Sequence, residues 1–433
     1  MRVYLETLGC RLNYSEMERL ARDLVARGHH VVSSPEEADV CVLNTCAVTT
    51  TAEAKSRALA RAMARANRRA RLVITGCYAT LSPEVVKGLP QVQLVVENRE
   101  KDRMAVLLDS WAGEFPDLSP EEITQPDRTP FAATRTRAFV KVQDGCRNRC
   151  AFCIVTIARG EERSRPIDLV LEEIRRLEAE GYQEAVLTGV HLGAYGRDLG
   201  TDLITLVRAI LQHTRLPRLR LSSLEPWDLT PEFFDLWAES EGRLCPHLHL
   251  PLQSGCDATL RRMARRYTTE SYARLVEAAR ERIPGLTITT DIIVGFPGET
   301  DEEFQQSYRF VESMGFAHLH VFPYSRRPGT PAARMPGQVP EAVKKERSAV
   351  MRALDVVSGR AVRRAQLGEV RPVLWEGEGR EGAHPGQRVW TGLTDNYLRV
   401  LTAVPADVDL HNRITPVRLT RLEGDALWGE VLL

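Results

Sequence analysis

The chain has 433 residues, of which 43% are hydrophobic and 27% are charged, and its formal net charge is zero. This is the composition of a globular protein with two or three domains, and it excludes any argument for nucleic-acid binding from global charge. No apolar stretch is long enough to span a membrane, and the amino terminus lacks the pattern of a secretory signal, so a cytoplasmic protein is expected.

The first hundred residues contain three short, β-branched runs, "RVYLETLGC", "DVCVLNTC" and "RLVITGC", each followed by a helix-like segment. This alternation predicts a parallel sheet with crossover helices. Each run ends on a cysteine, and we call Cys10, Cys46 and Cys77 the amino-terminal triad. Because the carboxyl ends of parallel strands share one edge, the three thiols are predicted to converge and hold a metal cluster. Buried core cysteines are the open alternative, and Cys41, inside its strand, is assigned to packing.

Local charge is uneven along the chain. The stretch from Arg57 to Arg71 carries six arginines and no acid, and "LRRMARRYT" adds Arg261, Arg262, Arg265 and Arg266. Basic helix faces of this kind recruit an RNA backbone by releasing counterions. Solvated surface helices and intramolecular salt bridges are the alternatives.

A proline-rich, acidic linker is predicted over residues 113–137. Directly after it, the loop "GCRNRCAFC" holds Cys146, Cys150 and Cys153, which we call the core triad. Structural zinc is almost always closed by four ligands, and no histidine lies in this loop. Three thiolates can instead hold an iron–sulfur cluster and leave one iron open to an external ligand. Zinc and reduced thiols stay open as alternatives, whereas nine cysteines in a long chain do not favour disulfides.

Six strand-like runs alternate with helices between residues 138 and 366: "AFVKVQDG", "EAVLTGVHL", "RLRLSSLEP", "HLHLPLQSG", "TITTDIIVGFPG" and "FAHLHVFPYS". Six units are too few for an eightfold barrel, so an open, partial (β/α)6 barrel is predicted, with its site at the carboxyl ends of the strands. That face gathers polar groups and glycines suited to a ribose and an amino-acid moiety. They are Thr188, Gly189, Ser223, Glu225, Gln253, Ser254 and Gly295. Each of them is, alternatively, a turn residue.

The last part of the chain changes character. Residues from Glu341 to Arg364 predict one basic amphipathic helix, and residues 367–433 predict a small antiparallel barrel of the oligonucleotide-binding type. Trp390, Tyr397 and Arg399 are candidate RNA contacts, with the barrel core as the alternative for Trp390.

Several of these motifs together resemble the radical S-adenosylmethionine (SAM) methylthiotransferases. The similar segments are "TLGCRLN", "NTCAVT", "TGCYAT", "GCRNRCAFC", "ARGEERSRP", "SSLEP", "LPLQSG" and "GFPGET". The resemblance implies an α/β protein in three parts: a methylthiotransferase domain over residues 1–112, a radical SAM core with a trailing helix over residues 138–366, and a TRAM domain over residues 367–433. Two positions depart from the family pattern: Thr156 stands where proline is common, and Cys256, assigned to packing, stands where serine is usual.

The same resemblance implies two [4Fe-4S] clusters, one on each triad, and SAM as cofactor. In the family, the core cluster cleaves SAM to a 5'-deoxyadenosyl radical that takes hydrogen from an unactivated C–H bond, and the other cluster holds the sulfur to be inserted. Phe152 precedes the last core cysteine, as an aromatic residue commonly does in radical SAM proteins. The implied partners of a monomeric enzyme are a tRNA anticodon loop, an electron donor such as flavodoxin or ferredoxin, and a sulfur donor.

The residues flanking the amino-terminal triad are most similar to the branch that acts on C2 of N6-threonylcarbamoyladenosine. Isopentenyladenosine in tRNA and an aspartate of a ribosomal protein are the alternative substrates. Arg11 and Arg57 are candidate partners for the threonyl carboxylate. A hypothesis of another class is a non-catalytic, RNA-binding iron–sulfur redox sensor, against which the motifs "SSLEP", "LPLQSG" and "GFPGET" argue.

Overall fold

A computed structural model describes residues 1–116, 136–382 and 385–432, except for the side chain of Glu378. Most of the predicted linker lies outside these residues. The amino-terminal part is a five-stranded parallel sheet in the order β2-β1-β3-β4-β5. Its strands are β1 (Arg2–Thr7), β2 (His30–Val32), β3 (Val40–Thr45), β4 (Arg71–Gly76) and β5 (Val92–Val96). The three predicted strands are confirmed, but each ends one to three residues before its cysteine. The sequence prediction missed β2 and β5.

Helices cover both faces of this sheet, and each face has its own apolar core. The helices are Arg11–Ala26, Thr50–Ala66, Cys77–Leu81, Pro83–Lys87 and Met104–Asp109. The second helix starts sharply because the Thr49 side chain accepts a hydrogen bond from the Ala52 amide at 3.1 Å. Strand β3 is buried along its whole length, which is typical of the centre of a parallel sheet.

The central part is the predicted open barrel. Two three-stranded parallel sheets, β10-β9-β6 and β11-β12-β13, are joined by isolated bridges between Leu219 and Leu244 and between Ser223 and His249. The strands are β6 (Arg137–Lys141), β7 (Gln143–Asp144), β8 (Arg163–Ser164), β9 (Glu184–Thr188), β10 (Arg218–Leu221), β11 (His247–His249), β12 (Thr287–Val294) and β13 (His318–Pro323). The helices are Val155–Arg159, Ile167–Ala179, Leu203–His213, Pro231–Glu239, Asp257–Arg262, Thr269–Arg282, Asp301–Met314 and Glu341–Ala365.

The two faces of the barrel strands differ in polarity. Residues such as Val140, Leu187 and Leu248 pack under the surrounding helices in one large core. Side chains alternate along a strand, so the neighbours of these residues face the interior of the barrel, which we call the lumen. The inward-facing residues include Arg137, Glu184, Arg218, Arg220, His247, Thr287 and Thr289. A polar lumen is unusual for a structural core and is typical of a barrel that binds a ligand.

The carboxyl-terminal part is the predicted small barrel, closed in the order β14-β15-β16-β18-β17, and its pairs are antiparallel except for β16 with β18, which is parallel. Its strands are β14 (Val370–Glu381), β15 (Gln387–Thr394), β16 (Arg399–Pro405), β17 (Ile414–Glu423) and β18 (Ala426–Val431). The turn between β15 and β16 docks under the central barrel, where Thr287 donates to the Asn396 carbonyl and Asn396 donates to the Gly285 carbonyl at 3.0 Å. This turn narrows the end of the lumen from which the barrel strands start. Among the described residues, no helix has both the length and the apolar character needed to cross a membrane.

Candidate functional site

The core triad lies in a loop that leaves the carboxyl end of β6 and is closed at its neck by the pairing of β7 with β8. The Cys146 amide donates to the Gly160 carbonyl at 2.9 Å, which ties the start of the loop to its end. Gly145 is required at this neck because its φ is 73° and a Cβ there would lie 1.8 Å from the Glu161 carbonyl oxygen. Thr156, in the place where proline is common, donates from its hydroxyl to the Asn148 carbonyl at 3.0 Å and so fixes the middle of the loop.

Donor groups point at the core sulfur atoms. The Asn148 amide lies 3.4 Å from Cys146 Sγ, and Nη1 of Arg265 lies 3.4 Å from Cys150 Sγ. The guanidinium group of Arg265 is held by the Glu225 carboxylate and stacks 4.6 Å from the Trp227 ring. N–H donors and a nearby cation stabilise thiolates. Of the interpretations left open for this arginine-rich stretch, the intramolecular salt bridge applies to Arg265, because its side chain is buried beside the core triad and pairs with Glu225.

Burial affects the ionisation of the core thiols. Burial raises the pKa of Cys150 and raises the pKa of Cys153 to about 12, so thiolates at this site need compensating cations. Among the described residues, neither cysteine triad has its three sulfur atoms all within 4.8 Å of one another. A single tetrahedral zinc ion would hold its sulfur ligands about 3.8 Å apart, from Zn–S bonds of about 2.3 Å. This spacing does not match three thiolates on one zinc ion, whereas ligand atoms of Cys146, Glu162 and His191 do lie within 4.8 Å of one another.

A histidine that the sequence analysis missed lies beside the core triad. His191 Nδ1 is 2.9 Å from Glu162 Oε1, and His191 Nε2 is 2.5 Å from Asp228 Oδ2. Burial lowers the pKa of His191, but hydrogen bonds to Asp228, Cys146 and Glu162 raise it to about 10. The protonated ring thus links the cysteine loop to the loops that follow β9 and β10. No sequence signal distinguishes this histidine from a histidine in an ordinary turn.

The amino-terminal triad converges as the order of strands predicts. Cys10, Cys46 and Cys77 follow β1, β3 and β4, which are adjacent in the sheet, and the topology reverses direction between β1 and β3. Close approach is enforced at Gly76, where φ is 100° and a Cβ would lie 2.3 Å from the Thr45 carbonyl oxygen. Burial, together with the nearby thiols of Cys10 and Cys77, raises the pKa of Cys46 to about 11.

Polar side chains line the amino-terminal triad too. Asn98 Nδ2 lies 3.7 Å from Cys77 Sγ, and Cys10 Sγ lies 3.8 Å from Asn13 Oδ1. Asn98 also donates to the Ala158 carbonyl at 2.7 Å, so the short helix after the core triad docks next to Cys77. The two triads are therefore held by a common set of contacts between the first and second parts of the chain.

A buried charge network reinforces this junction. The Glu16 carboxylate accepts hydrogen bonds from Lys101 at 2.5 Å, Lys141 at 3.0 Å and Arg159 at 2.8 Å. Asp144 pairs with Arg159 at 3.0 Å and with Lys141 at 2.6 Å. Burial alone would raise the pKa of Glu16, but Arg159, Lys101 and Lys141 hold it well below its ordinary value. These cations favour the ionised form of Glu16, whereas burial lowers the pKa of Lys101.

The predicted SAM-binding residues divide into two groups. Phe152 and Gln253 line one cleft of about 180 Å³ together with Cys153, and Gln253 adopts a φ of 68°. Thr188 is the last residue of β9, at the carboxyl end of the strand. Its buried hydroxyl has no hydrogen-bond partner among the described residues. The buried hydroxyl of Ser222, next to the predicted Ser223, also has no hydrogen-bond partner among the described residues. Buried hydroxyl groups without partners, close to the core triad, fit a polar ligand such as SAM.

The other predicted residues have structural contacts. Glu225 pairs with Arg265, the Ser254 hydroxyl accepts a hydrogen bond from the Cys256 amide at 3.3 Å, and Gly189 packs against Gln143. At Gly295, a Cβ would lie 2.3 Å from Cγ of Lys344, so this glycine allows the long helix Glu341–Ala365 to pack closely.

Some of the candidate RNA contacts are buried or paired within the protein, and others are exposed. Trp390 is 2% exposed in the core of the small barrel, so the core alternative applies to it and not stacking on RNA bases. Tyr397 points into the lumen, where its ring lies 4.6 Å from the His247 ring, whereas Arg399 is exposed. In the arginine-rich stretch, Arg71 pairs with Glu114, and Arg57 donates to the Tyr78 hydroxyl at 3.1 Å. Four arginines of that stretch are exposed: Arg61, Arg65, Arg68 and Arg69.

Arg11 lies at the junction of all three parts of the chain. Its guanidinium group donates to the Tyr397 hydroxyl at 2.8 Å. It lines a cleft of about 860 Å³ that also contains Thr287, His320 and Arg399. This cleft connects the lumen with the surface of the small barrel.

Known proteins resemble this chain over nearly its whole length. Residues 140–311 match the radical SAM superfamily, and residues 2–97 match the family described as "Uncharacterized protein family UPF0004". The chain is 36% identical over 433 residues to "Threonylcarbamoyladenosine tRNA methylthiotransferase MtaB" of Bacillus subtilis, covering 97% of this chain and 94% of that protein. It is 34% identical over 443 residues to "tRNA-2-methylthio-N(6)-dimethylallyladenosine synthase" of Syntrophotalea carbinolica, covering 99% of each.

A solved structure shares the fold. The radical S-adenosylmethionine methyltransferase TsrM from Kitasatospora setae aligns with a TM-score of 0.58 at 17% identity, over 76% of this chain and 74% of that chain.

Proposed function

The chain belongs to the radical SAM methylthiotransferase family, and from that premise we propose that it inserts a methylthio group at C2 of N6-threonylcarbamoyladenosine beside a tRNA anticodon. As a member of this family it is an enzyme that uses SAM and iron–sulfur clusters. Four relatives with the threonylcarbamoyladenosine name are 35–39% identical to it.

The observation that carries the choice of substrate is the chemistry of the cleft beside Cys10. Its walls present the polar and cationic side chains of Arg11, Arg137, Thr289, His320 and Arg399, beside three carboxylates and several apolar residues. A threonylcarbamoyl group, with its carboxylate, hydroxyl and urea, can pair with such groups. An isopentenyl chain has no polar group that could pair with Arg11 or its polar neighbours.

We assign the cofactors to the two triads and to the lumen. The core triad and the amino-terminal triad would each hold one [4Fe-4S] cluster through three thiolates. Phe152, Gln253 and Thr188, with Ser223, Glu225 and the neighbouring glycines and serine, would surround SAM. When bound, these groups supply the radical that removes hydrogen from C2 and the sulfur that replaces it.

The residues of the chain have supporting roles in this proposal. Arg265 and the Asn148 amide stabilise the core thiolates by donating hydrogen bonds to sulfur. The junction around Arg159 keeps the two triads in a fixed relation. The turn that carries Tyr397 narrows one end of the lumen, which limits the access of bulk water to a reactive radical.

The partners follow from the same proposal. A tRNA anticodon loop presents an unpaired base that can enter the cleft, while the exposed arginines of the helix Thr50–Ala66 and Arg399 contact phosphates. An electron donor such as flavodoxin or ferredoxin and a separate sulfur donor complete the reaction.

Deleting the gene and analysing the tRNA nucleosides by mass spectrometry tests the proposal. We expect loss of 2-methylthio-N6-threonylcarbamoyladenosine and accumulation of its unthiolated precursor. Restoring the gene should reverse both changes, whereas a gene with the amino-terminal triad replaced by alanine should not. Loss of the methylthiolated isopentenyl nucleoside instead would contradict the proposed substrate.

Isopentenyladenosine is the second candidate because of the 34% identity over 99% of both chains to the Syntrophotalea protein. The same nucleoside analysis separates the two candidates.

A further inference from the structure

Arg11 lies at the lumen and forms no ion pair with a carboxylate of the described residues. Among the residues that the structure describes, no carboxylate lies within 4 Å of its guanidinium group, which donates only to the Tyr397 hydroxyl. Its neighbours differ in this respect. Arg137 pairs with Glu376 at 2.7 Å, and Arg220 pairs with Glu184 at 2.7 Å. Arg11 therefore keeps N–H donors without a described partner at the wall of a cleft whose nearest shared carboxylate, Glu376, is already paired with Arg137.

The guanidinium group is nevertheless held in place. Tyr397, which accepts its hydrogen bond, has a φ of 72°, a backbone conformation that costs energy for a residue other than glycine. The turn is kept there by the hydrogen bond from Thr287 to the Asn396 carbonyl and by stacking of Arg220 at 4.7 Å from the Tyr397 ring. A strained residue that buttresses an unpaired cation is typical of a preorganised binding site.

Arg11 is also the residue that directly follows Cys10 of the amino-terminal triad. It follows Cys10, a member of the triad assigned to hold the sulfur, so C2 of the substrate base must approach this part of the lumen. The urea N–H that bears the threonine can donate to N1 of the adenine in a six-membered ring. This hydrogen bond turns the amino acid towards the C2 edge and brings its carboxylate to the side of Cys10 and Arg11.

We propose that Arg11 binds the carboxylate of the adenine's amino-acid substituent and thereby selects that substrate over adenines with neutral or apolar substituents. The inference rests on the proposed function and adds that the Arg11 guanidinium is the group that recognises the substituent. A planar guanidinium can bind a carboxylate through two parallel hydrogen bonds. Arg57, the other sequence candidate, is paired with Tyr78 and is not among the residues that line the cleft.

The test uses anticodon stem-loops that differ only in the adenine substituent. One carries the threonylcarbamoyl acid, the second its carboxamide, and the third an isopentenyl group. The full-length holoenzyme and its Arg11→Gln, Arg11→Lys and Arg57→Gln variants are compared. Binding is measured by fluorescence anisotropy without SAM, and methylthiolation by single-turnover mass spectrometry, with iron content as a check on each variant.

The parent enzyme should prefer the acid over the carboxamide by on the order of 10- to 100-fold, the range for hydrogen bonds to a charged group. Arg11→Gln should bring this ratio close to one, and Arg11→Lys should give an intermediate value because the charge remains and the planar fork is lost. Arg57→Gln should leave the ratio unchanged, even where it weakens RNA binding as a whole.

The outcomes separate the two proposals. A parent enzyme that modifies the isopentenyl stem-loop but not the acid overturns the proposed function. A parent enzyme that modifies the acid but does not distinguish it from the carboxamide overturns only the role of Arg11, and so does an Arg11→Gln variant that keeps the parent ratio. The anisotropy ratio needs no turnover, so it decides the question even for a variant that has lost iron.

Discussion

Replacing Glu16 by glutamine is a sharp test of the junction between the two cysteine sites. The Glu16 side chain is 6% exposed, and its carboxylate is shared by Lys101, Lys141 and Arg159. Glutamine keeps the size of the side chain but removes the charge, which leaves Asp144 as the anion for Lys141 and Arg159. Removing one member of a buried ion pair costs about 3–5 kcal/mol, because the remaining charges stay buried without compensation.

Amide hydrogen exchange of the helix Arg11–Ala26, which carries Glu16, measures this cost locally. A whole-chain melting temperature would mix the transitions of several domains. A loss of about 3 kcal/mol or more corresponds to exchange roughly 100-fold faster or more. The matched control is Glu84→Gln, since Glu84 pairs with Lys87 at 2.8 Å on the surface and is 80% exposed. Exposed pairs contribute about 0–1 kcal/mol, so the control should exchange almost like the parent.

The pH dependence adds an independent check. The folded-state pKa of Glu16 lies well below its ordinary value of 4.5, so the carboxylate stabilises the fold fully above that pH and loses its effect as pH falls through the folded pKa. The difference between parent and Glu16→Gln should therefore be constant near neutrality and shrink in acid. Equal exchange in Glu16→Gln and Glu84→Gln at neutral pH would refute the argument that the junction depends on these charges.

Four further outcomes are expected. Anaerobically prepared protein should contain about eight irons, four for each cluster, and no stoichiometric zinc; about four irons would remove the two-cluster assignment. Alanine at the core triad should abolish formation of 5'-deoxyadenosine from SAM and dithionite, whereas alanine at the amino-terminal triad should leave some cleavage and stop methylthio transfer; methylthiolated product from the latter would contradict the assigned role. Arg265→Met should lower occupancy of the core cluster, seen by electron paramagnetic resonance of the one-electron-reduced protein, and Arg265→Lys should restore part of it; equal occupancy in Arg265→Met and the parent would show that the cation at Cys150 is dispensable. Arg399→Gln should weaken tRNA binding and reduce the slope of log affinity against log salt by about 1, measured by filter binding; an unchanged slope would show that Arg399 touches no phosphate.

The order of strands and helices was predictable because it depends on local sequence patterns. Apolar, β-branched runs such as the one that forms β3 alternate with helical segments, and this alternation already implies a parallel sheet. The convergence of Cys10, Cys46 and Cys77 followed from one property of such sheets, that all carboxyl ends lie on one edge. The short β2 has only three residues, too few for a periodic signal.

The lumen was not predictable, because it depends on contacts between distant residues. Arg11 and Tyr397, which meet at 2.8 Å, are 386 positions apart. Arg265 looks like one of four interchangeable arginines in the sequence, and only the fold buries it against Cys150. The position of Trp390 could not be predicted either. An aromatic residue in a strand of a small barrel is equally compatible with the barrel core and with a base-stacking surface when only the sequence is known.

The contacts between the two triads have a chemical consequence. Hydrogen removal and sulfur delivery must occur at one carbon, so the two metal sites have to keep a constant relation while RNA enters and leaves. The short helix Val155–Arg159 follows the core triad directly, its Ala158 carbonyl is bound by the same Asn98 amide that faces Cys77, and its Arg159 is anchored by Glu16. This helix therefore links the loop of one triad to the strand ends that carry the other. The contacts are a buried hydrogen bond and a buried ion pair, and a movement of either domain relative to the other would break them.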